Sequence, residues 1–216
     1  MTPHYSQRKD ILPLTGGCSC GLMRYQISLP PLLVHACYCT ACQRQTGSIL
    51  GLNAIVESTT LTLLPSAPPT LASPEPIPAA VQPVFARLTS AESATRDPQP
   101  KPRPLSVCIP TGSGVGQTVV NCPACHTALW KYYCDGGPHL SYVSVGTLDT
   151  PWEIEPDVHI YTRCRQSWVT IDDGKPAFDE YYPRREDLLR EDALKRFEAV
   201  KPKMKEMQAE LMAAWQ

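Results

Sequence analysis

The length, composition and charge of this chain exclude several classes of protein. Its 216 residues suffice for one large domain or two small ones, and a hydrophobic content of 43% is ordinary for a protein with a buried core. The formal net charge of -1 argues against recruitment to nucleic acid or to an anionic membrane, so we expect neither partner. A polar N-terminus, and no run of roughly 20 apolar residues, predict a cytoplasmic or nuclear location.

Short strands are predicted from Cys18 to Leu64. In LMRYQISL, apolar and polar residues alternate, which is typical of a half-buried strand. The nearly continuous apolar run SILGLNAIV predicts a buried strand, and Gly51 inside it predicts a kink or the close approach of a neighbouring group. The threonine- and leucine-rich segment STTLTLL is predicted to be a partner strand.

Residues 65–104 differ in composition from the rest of the chain. They hold nearly half of its 23 prolines and few large apolar side chains. Proline donates no backbone hydrogen bond, and a segment without large apolar groups cannot form a core. We therefore predict a long surface insertion that is disordered, with partial order around VQPVFARL as the alternative.

Strands resume after the insertion, and the C-terminal end is predicted to be helical. TVVN, ALWKYY, LSYVSVG and SWVTI are predicted strands, separated by Gly, Pro and Asp turns. In residues 183–216, apolar side chains recur near helical spacing among charged ones, which predicts one amphipathic helix, or two with a break at Pro202. Their single apolar stripe is compatible with packing on the sheet and equally with a homodimer contact.

The ten cysteines carry the strongest functional signal. Seven of them fall into three short clusters, GGCSCG, CYCTAC and NCPACH. A reducing cytosol disfavours a disulfide framework, and a C-x-C pair is too cramped for an easy bridge. C-x-C in extended chain and C-x-x-C in a turn are both spacings that chelate metals. We therefore interpret the clusters as zinc ligands.

Seven ligands divide into four and three. Structural zinc sites close with four protein ligands, whereas catalytic sites keep three and leave one position open for water or a substrate thiol. The proposed four-ligand set is Cys18, Cys20, Cys122 and Cys125. The proposed three-ligand set is Cys37, Cys39 and Cys42. Spacing alone also allows a second structural site, completed by Cys108, Cys134, Cys164 or His35.

The order and spacing of these clusters resemble a known family. GGCSCGLMRY, CYCTACQRQTGS and NCPACHTALW resemble the signatures GGCxCGxxRY, CxCxxCRxxxG and CPxCGxxL of the glutathione-dependent formaldehyde-activating enzymes, a family that includes centromere protein V. PDVHIYTRCRQSWVTIDDGKPAF resembles the closing segment of that family, with His159 and Trp168 at its characteristic positions. The resemblance runs from Gly16 to about Phe178 and is interrupted by the insertion.

The resemblance implies a fold and a division of the chain. The implied fold is mainly β (α+β overall), a β-tent of several small coiled sheets tied by zinc, with a C-terminal helical tail. Residues 1–182 would form the zinc-binding domain, with the insertion at 65–104, and residues 183–216 the helical extension.

The resemblance also implies an activity. Cys18, Cys20, Cys122 and Cys125 would carry a structural zinc, and Cys37, Cys39 and Cys42 a second, catalytic zinc. The implied function is a zinc-dependent carbon–sulfur lyase that acts on glutathione adducts, as in the formation of S-hydroxymethylglutathione from formaldehyde and glutathione. The alternative function is a non-catalytic, zinc-stabilised binding or structural module.

A few other residues carry weaker predictions. Arg44, beside the second cluster, is a candidate to pair with a glutathione carboxylate, and a solvated arginine is the simpler interpretation. His126 stands where the family usually has glycine, which predicts a distorted zinc turn or an exposed histidine. Tyr38 stands where the family often has histidine. The glycine-rich TGSGVG is interpreted as a turn. Buried free thiols are predicted for Cys108, Cys134 and Cys164.

Overall fold

The computed structural model describes residues 3–66, 103–111 and 116–215. The insertion predicted at 65–104 lies almost wholly outside these ranges, as does most of the TGSGVG segment. The described strands are β1 (Leu14–Gly17), β2 (Arg24–Ile27), β3 (Leu33–Cys37), β4 (Gly51–Glu57), β5 (Leu61–Leu64), β6 (Leu105–Ile109), β7 (Gln117–Asn121), β8 (Ala128–Tyr133), β9 (Leu140–Ser144) and β10 (Val158–Ile160). The described α-helices are α1 (Thr40–Thr46) and α2 (Glu191–Trp215).

These strands form two sheets. The smaller has the order β1-β2-β5, and the larger has the order β10-β3-β4-β9-β8-β7-β6. All pairs in the larger sheet are antiparallel except β10 with β3. The strand predicted in STTLTLL is β5, which pairs with β2 in the smaller sheet. The structure thus confirms the mainly β fold with a C-terminal helix.

The central strands of the larger sheet are buried on both faces. Ala54 and Val56 of β4 belong to one apolar core, whereas Ile55 between them belongs to another, because successive residues of a strand point to opposite faces. The first core also contains Tyr25 of the smaller sheet, and the second contains Phe197 of α2. The smaller sheet therefore covers one face of the larger sheet, and the C-terminal helix covers the other.

The C-terminal helix continues through Pro202. Since α2 runs from Glu191 to Trp215 with this proline inside it, the predicted break is wrong and the one-helix alternative is correct. A proline in a helix interior removes a hydrogen bond and costs about 3 kcal/mol. Phe197 and Met204, on either side of Pro202, are both buried, and their packing on the second core offsets this cost. Within the described ranges, no helix has both the length and the apolar character needed to cross a membrane.

The strand predicted in SWVTI is also wrong. Ser167 and Trp168 lie in a turn, and the amide of Val169 donates a hydrogen bond to the carbonyl of Gln166. High β-propensity reflects a good fit to a half-buried sheet surface. Here Trp168 is 72% exposed, so the segment has no such surface to occupy.

Candidate metal centres

The first group of cysteines, which we call the four-cysteine cluster, joins the two sheets. Cys18 and Cys20 lie between β1 and β2 of the smaller sheet, and Cys122 and Cys125 lie between β7 and β8 of the larger one. The four sulfur atoms all lie within 4.8 Å of one another. Because Cys20 and Cys122 are 102 residues apart, only the tertiary fold can bring the two pairs together.

The sulfur spacing in this cluster suits a tetrahedral zinc ion. Zn–S bonds of about 2.3 Å place the corners of a tetrahedron about 3.8 Å apart. The Cys20 sulfur lies 3.5 Å from that of Cys18 and 3.8 Å from that of Cys122. The amide of Met23 donates a hydrogen bond of 3.2 Å to the Cys18 sulfur, which favours a thiolate there. The donor set and its spacing therefore fit a closed zinc site.

Protonation differs among the thiols of the four-cysteine cluster. Burial raises the pKa of Cys18 and raises that of Cys122 to about 12. Burial also opposes ionisation of Cys125, but hydrogen bonds from the hydroxyl and amide of Thr127 outweigh it and lower the pKa to about 6. Cys125 thus ionises more easily than Cys18 or Cys122.

The turn that carries Cys122 and Cys125 explains the tolerance of histidine at position 126. His126 has φ of 58°, in the left-handed region that glycine enters most easily. Its amide donates to the carbonyl of Cys122 at 3.0 Å, and the amide of Cys122 donates to the carbonyl of Thr127 at 3.0 Å. The His126 side chain is exposed, so of the two predicted outcomes the exposed histidine is confirmed, with the hydrogen bonds of the turn in place.

The second group, which we call the three-cysteine cluster, forms where β3 ends and α1 begins. Cys37 is the last residue of β3, and Cys39 caps the N-terminus of α1, where its sulfur accepts a hydrogen bond of 3.4 Å from the amide of Cys42. The three sulfur atoms all lie within 4.8 Å of one another. Cys37 and Cys42 are buried and Cys39 is half-buried. One helical turn thus completes the cluster.

Within the described ranges, no fourth ligand joins the three-cysteine cluster. The grouping of His, Cys, Asp and Glu atoms within 4.8 Å of one another stops at Cys37, Cys39 and Cys42. His35 instead hydrogen-bonds the hydroxyl of Tyr182 at 2.8 Å. The structure therefore gives no support to completion of the cluster by Cys108, Cys134, Cys164 or His35.

The predicted burial of the remaining cysteines is wrong. Cys108, Cys134 and Cys164 are free thiols, but Cys108 is exposed and the other two are only half-buried. Cys108 lies on β6, the edge strand of the larger sheet. An edge strand has a sheet neighbour on one side only, which leaves its side chains less covered.

Hydrogen bonds distribute the charge of the three-cysteine cluster unevenly. The thiols of Cys37 and Cys42, together with the backbone amides of Cys42 and Ala41, hold the pKa of Cys39 far below its ordinary value. Bonding to Cys39 and Cys42, and then burial, raise the pKa of Cys37. Positive charge at the start of a helix favours a thiolate at the N-cap, so Cys39 is the most readily ionised ligand of the three.

Two tyrosines lie close to the three-cysteine cluster. Burial, followed by the charges of nearby cysteine thiolates, raises the pKa of Tyr133 and of Tyr161. The ring of Tyr133 packs edge-on against Tyr142 with 4.7 Å between centroids. A tyrosine held in its neutral form can donate a hydrogen bond, so both hydroxyls are potential donors beside the cluster.

Gly51, Asn53 and Lys131 form the wall next to Cys42. A Cβ atom at Gly51 would lie 3.1 Å from the Cβ and 3.3 Å from the sulfur of Cys42, and 3.4 Å from the side-chain nitrogen of Asn53. This confirms the close approach predicted at Gly51. The ammonium of Lys131 donates a hydrogen bond of 2.9 Å to the Asn53 side-chain oxygen, and Lys131 is only 1% exposed. A buried cation therefore lies near the three thiols.

The charge of Lys131 acts on the cluster. Hydrogen bonding from Cys37 and the Lys131 charge both favour the Cys42 thiolate, although hydrogen bonding to Cys39 and burial outweigh them and raise the pKa of Cys42. The sequence alone does not identify this lysine as a site residue. The one signal is a charged residue inside the otherwise apolar and aromatic strand ALWKYY, and that pattern does not show which face of the sheet the residue occupies.

The other residues singled out in the sequence have varied surroundings. Arg44 is exposed on α1 and makes no hydrogen bond or ion pair with the described part of the chain. Trp168 is also exposed. His159 is buried, its Nε2 donates to the Asp173 carboxylate at 2.8 Å, and its Nδ1 is hydrogen-bonded to the Tyr38 hydroxyl at 3.2 Å. The histidine of the closing segment is thus connected to the residue between Cys37 and Cys39.

Comparison with known proteins confirms the resemblance seen in the sequence. The family model described as "Glutathione-dependent formaldehyde-activating enzyme" matches residues 13–112. This range contains the whole three-cysteine cluster and the first pair of the four-cysteine cluster, and it ends before Cys122 and Cys125. No curated protein matches the chain.

Proposed function

Because residues 13–112 match the glutathione-dependent formaldehyde-activating enzymes, we propose that this protein is a zinc-dependent carbon–sulfur lyase acting on glutathione adducts. Its reaction would be that of an S-(hydroxymethyl)glutathione synthase. The observation that carries the proposal is the unequal number of ligands in the two cysteine clusters, four in one and three in the other. Four thiolates complete the tetrahedral coordination of a zinc ion, whereas three leave one coordination position for an exogenous ligand.

In this proposal the four-cysteine cluster has a structural role. It connects the β1–β2 turn of the smaller sheet to the β7–β8 turn of the larger one. A metal held by both turns would tie the sheets into a zinc-bound β-tent, and its binding energy would contribute directly to folding.

The three-cysteine cluster has the catalytic role. A zinc ion bound by Cys37, Cys39 and Cys42 would supply a Lewis-acidic position that holds the substrate sulfur as a thiolate. The N-terminal amides of α1 stabilise the negative charge of Cys39. Burial of Cys37 and Cys42 limits the access of water on their side.

The addition of glutathione to formaldehyde requires no oxidant or reductant. A bond forms between the glutathione sulfur and the carbonyl carbon of formaldehyde, the thiol loses its proton, and the carbonyl oxygen gains one. Tyr133 and Tyr161 stay protonated beside the cluster because burial and the thiolate charges raise their pKa. In this proposal one of these hydroxyls would donate a hydrogen bond to the oxygen on which negative charge develops.

Calorimetric titration of the zinc-loaded protein with glutathione tests this function. We expect the wild-type protein to bind glutathione and to bind S-methylglutathione much more weakly, since a methylated sulfur cannot become a thiolate. The variant Cys39→Ser should keep about one zinc ion, by the same count of ligands, and should lose the glutathione-dependent heat.

A rate measurement completes the test. Exchange spectroscopy by NMR should show the wild-type protein, but not Cys39→Ser, accelerating formation of the adduct above the spontaneous rate. A wild-type protein that holds two zinc ions but neither binds glutathione nor accelerates this reaction would contradict the proposal. Such a result would favour the zinc-stabilised binding or structural module.

A further inference from the structure

A cavity of about 440 Å³ adjoins the three-cysteine cluster. Gly51 connects the two, since it lines the cavity and a Cβ atom built on it would lie 3.3 Å from the sulfur of Cys42. Pockets that bind small molecules have volumes of about 300–1,000 Å³. The cavity is therefore large enough, and close enough, to hold a part of a ligand whose sulfur lies at the cluster.

The cavity lining includes several polar side chains and one charged side chain among the described residues, that of Lys131. Polar side chains of the lining include Gln45, Thr46, Ser48, Asn53, Ser144 and Thr147. An ammonium has three N–H donors, and Lys131 makes one hydrogen bond to the neutral amide of Asn53 and no ion pair to a carboxylate in the described part of the chain. No carboxylate among the described residues pairs with this buried ammonium, so the carboxylate of a ligand could make a charge-assisted hydrogen bond to it.

Gln45 provides a second, independent observation. Both polar atoms of its side chain, Oε1 and Nε2, are buried and have no hydrogen-bond partner among the described residues. Buried amides are nearly always hydrogen-bonded, and Gln45 lines the same cavity as Lys131. Its NH2 group can donate to a carboxylate, and its oxygen can accept from a peptide amide.

We propose that this cavity binds a carboxylate-bearing part of the thiol substrate, with Lys131 pairing with the carboxylate and Gln45 donating a hydrogen bond to it. The inference rests on the proposed function and assigns the residues that would recognise a carboxylate of the thiol. A thiol without a carboxylate could not make this charge-assisted contact with Lys131. Arg44, the candidate from the sequence, is exposed and lies outside this lining.

Removal of the charge tests the assignment. Zinc-loaded wild-type protein should bind glutathione roughly tenfold or more tightly than glutathione diethyl ester, whose carboxylates are neutralised, because charge-assisted hydrogen bonds are the strong ones. In Lys131→Met this preference should disappear, with both ligands bound about as wild type binds the ester. In Arg44→Met the preference should persist. Loss of the preference in Arg44→Met together with its retention in Lys131→Met would overturn the proposal.

A second variant keeps the test decisive if Lys131→Met does not fold. Gln45→Glu places a carboxylate in the cavity, where it should pair with Lys131 and weaken glutathione binding more than binding of the ester. Equal affinities of the wild-type protein for glutathione and the ester, or equal losses in Lys131→Met, would overturn the cavity assignment and leave thiol binding intact. Failure of both ligands to bind the wild-type protein would overturn the proposed function and the cavity assignment together.

Discussion

At Gly51, the missing side chain lets β4 pass directly beside Cys42. A Cβ atom there would lie 3.1 Å from the Cβ and 3.3 Å from the sulfur of Cys42, both closer than ordinary contact. Gly51→Ala should therefore displace this ligand and weaken metal binding at the three-cysteine cluster roughly tenfold or more, since overpacking costs about 1–3 kcal/mol. Competition with a chromophoric chelator measures this as faster release of one of two zinc ions.

Gly146→Ala is the matched control for this substitution. A Cβ atom at Gly146 would meet nothing within 4 Å, so this variant should release both ions as slowly as the wild-type protein. The same chelator kinetics for Gly51→Ala and Gly146→Ala would show that the close approach at Gly51 has no effect on the cluster.

The left-handed backbone at His126 leads to a second prediction at the residue scale. With φ of 58°, any residue with a side chain is strained there by about 1–2 kcal/mol relative to glycine. Part of this advantage of glycine is cancelled because glycine loses more conformational entropy on folding. The free energy of unfolding of the zinc-loaded protein should be highest with Gly at position 126, lower with His and lowest with Val, since β-branched residues fit this region worst. Chemical denaturation measures it.

His139→Gly is the control for the series at His126. His139 is not among the residues with positive φ, so glycine there brings no relief and should cost about 0.5–1 kcal/mol. Equal effects of glycine at positions 126 and 139 would argue against backbone strain as the cause.

At the scale of elements, α2 is attached to the larger sheet by charge as well as by apolar packing. Arg196 makes paired hydrogen bonds to the carboxylate of Glu57, which is buried at the end of β4. Phe197 packs in the second core, and the Arg185 guanidinium lies over its ring at 5.3 Å. The helix thus shares a core with the sheet that carries Cys37. The domain boundary at 182/183 and a homodimer contact through this helix both stay predictions.

The proline inside α2 supplies the prediction for this element. Pro202 is exposed and lacks the amide proton that a helix interior requires, so Pro202→Ala should raise the free energy of unfolding by up to about 3 kcal/mol. The exposed neighbour Lys203 is the control, because Lys203→Ala changes helix propensity little and should alter stability by less than about 0.5 kcal/mol. An unchanged melting temperature for Pro202→Ala would mean that the proline carries no net cost in this helix, and a lower one would mean that it stabilises the helix.

For the whole molecule, the two cysteine clusters predict different consequences of losing one ligand. Cys122 belongs to the cluster that joins both sheets, so Cys122→Ser should lower soluble yield and melting temperature sharply, since metal binding there is coupled to folding. Cys39 belongs to a cluster formed within one strand–helix connection. Cys39→Ser should therefore keep the fold and about one zinc ion.

Metal analysis and thermal unfolding of the two variants, side by side, check this prediction. Equal destabilisation of Cys39→Ser and Cys122→Ser would mean that the three-cysteine cluster is a second structural site. A stable Cys122→Ser with full zinc content would mean that the two sheets do not need the metal.

The sequence by itself determined the local features of this protein. The spacing of Cys37, Cys39 and Cys42 requires only one strand end and one helical turn to bring three sulfurs together, and the apolar run of β4 predicts burial without knowledge of its neighbours. The two halves of the four-cysteine cluster were also paired correctly, but that inference used the number of ligands and the family resemblance. Nothing local to Cys20 specifies a partner 102 residues away.

The tertiary structure alone decided the surroundings of these residues. It placed Lys131 and Gln45 on one cavity. Within the described ranges, it showed no fourth ligand beside the three-cysteine cluster and no strand paired with SWVTI. It also carried α2 through Pro202, where packing on both sides outweighs the intrinsic preference of proline. The physical reason is the same in each case: chain spacing controls contacts within a turn, whereas the side chains that face one another across a sheet or a core are set by packing between distant segments.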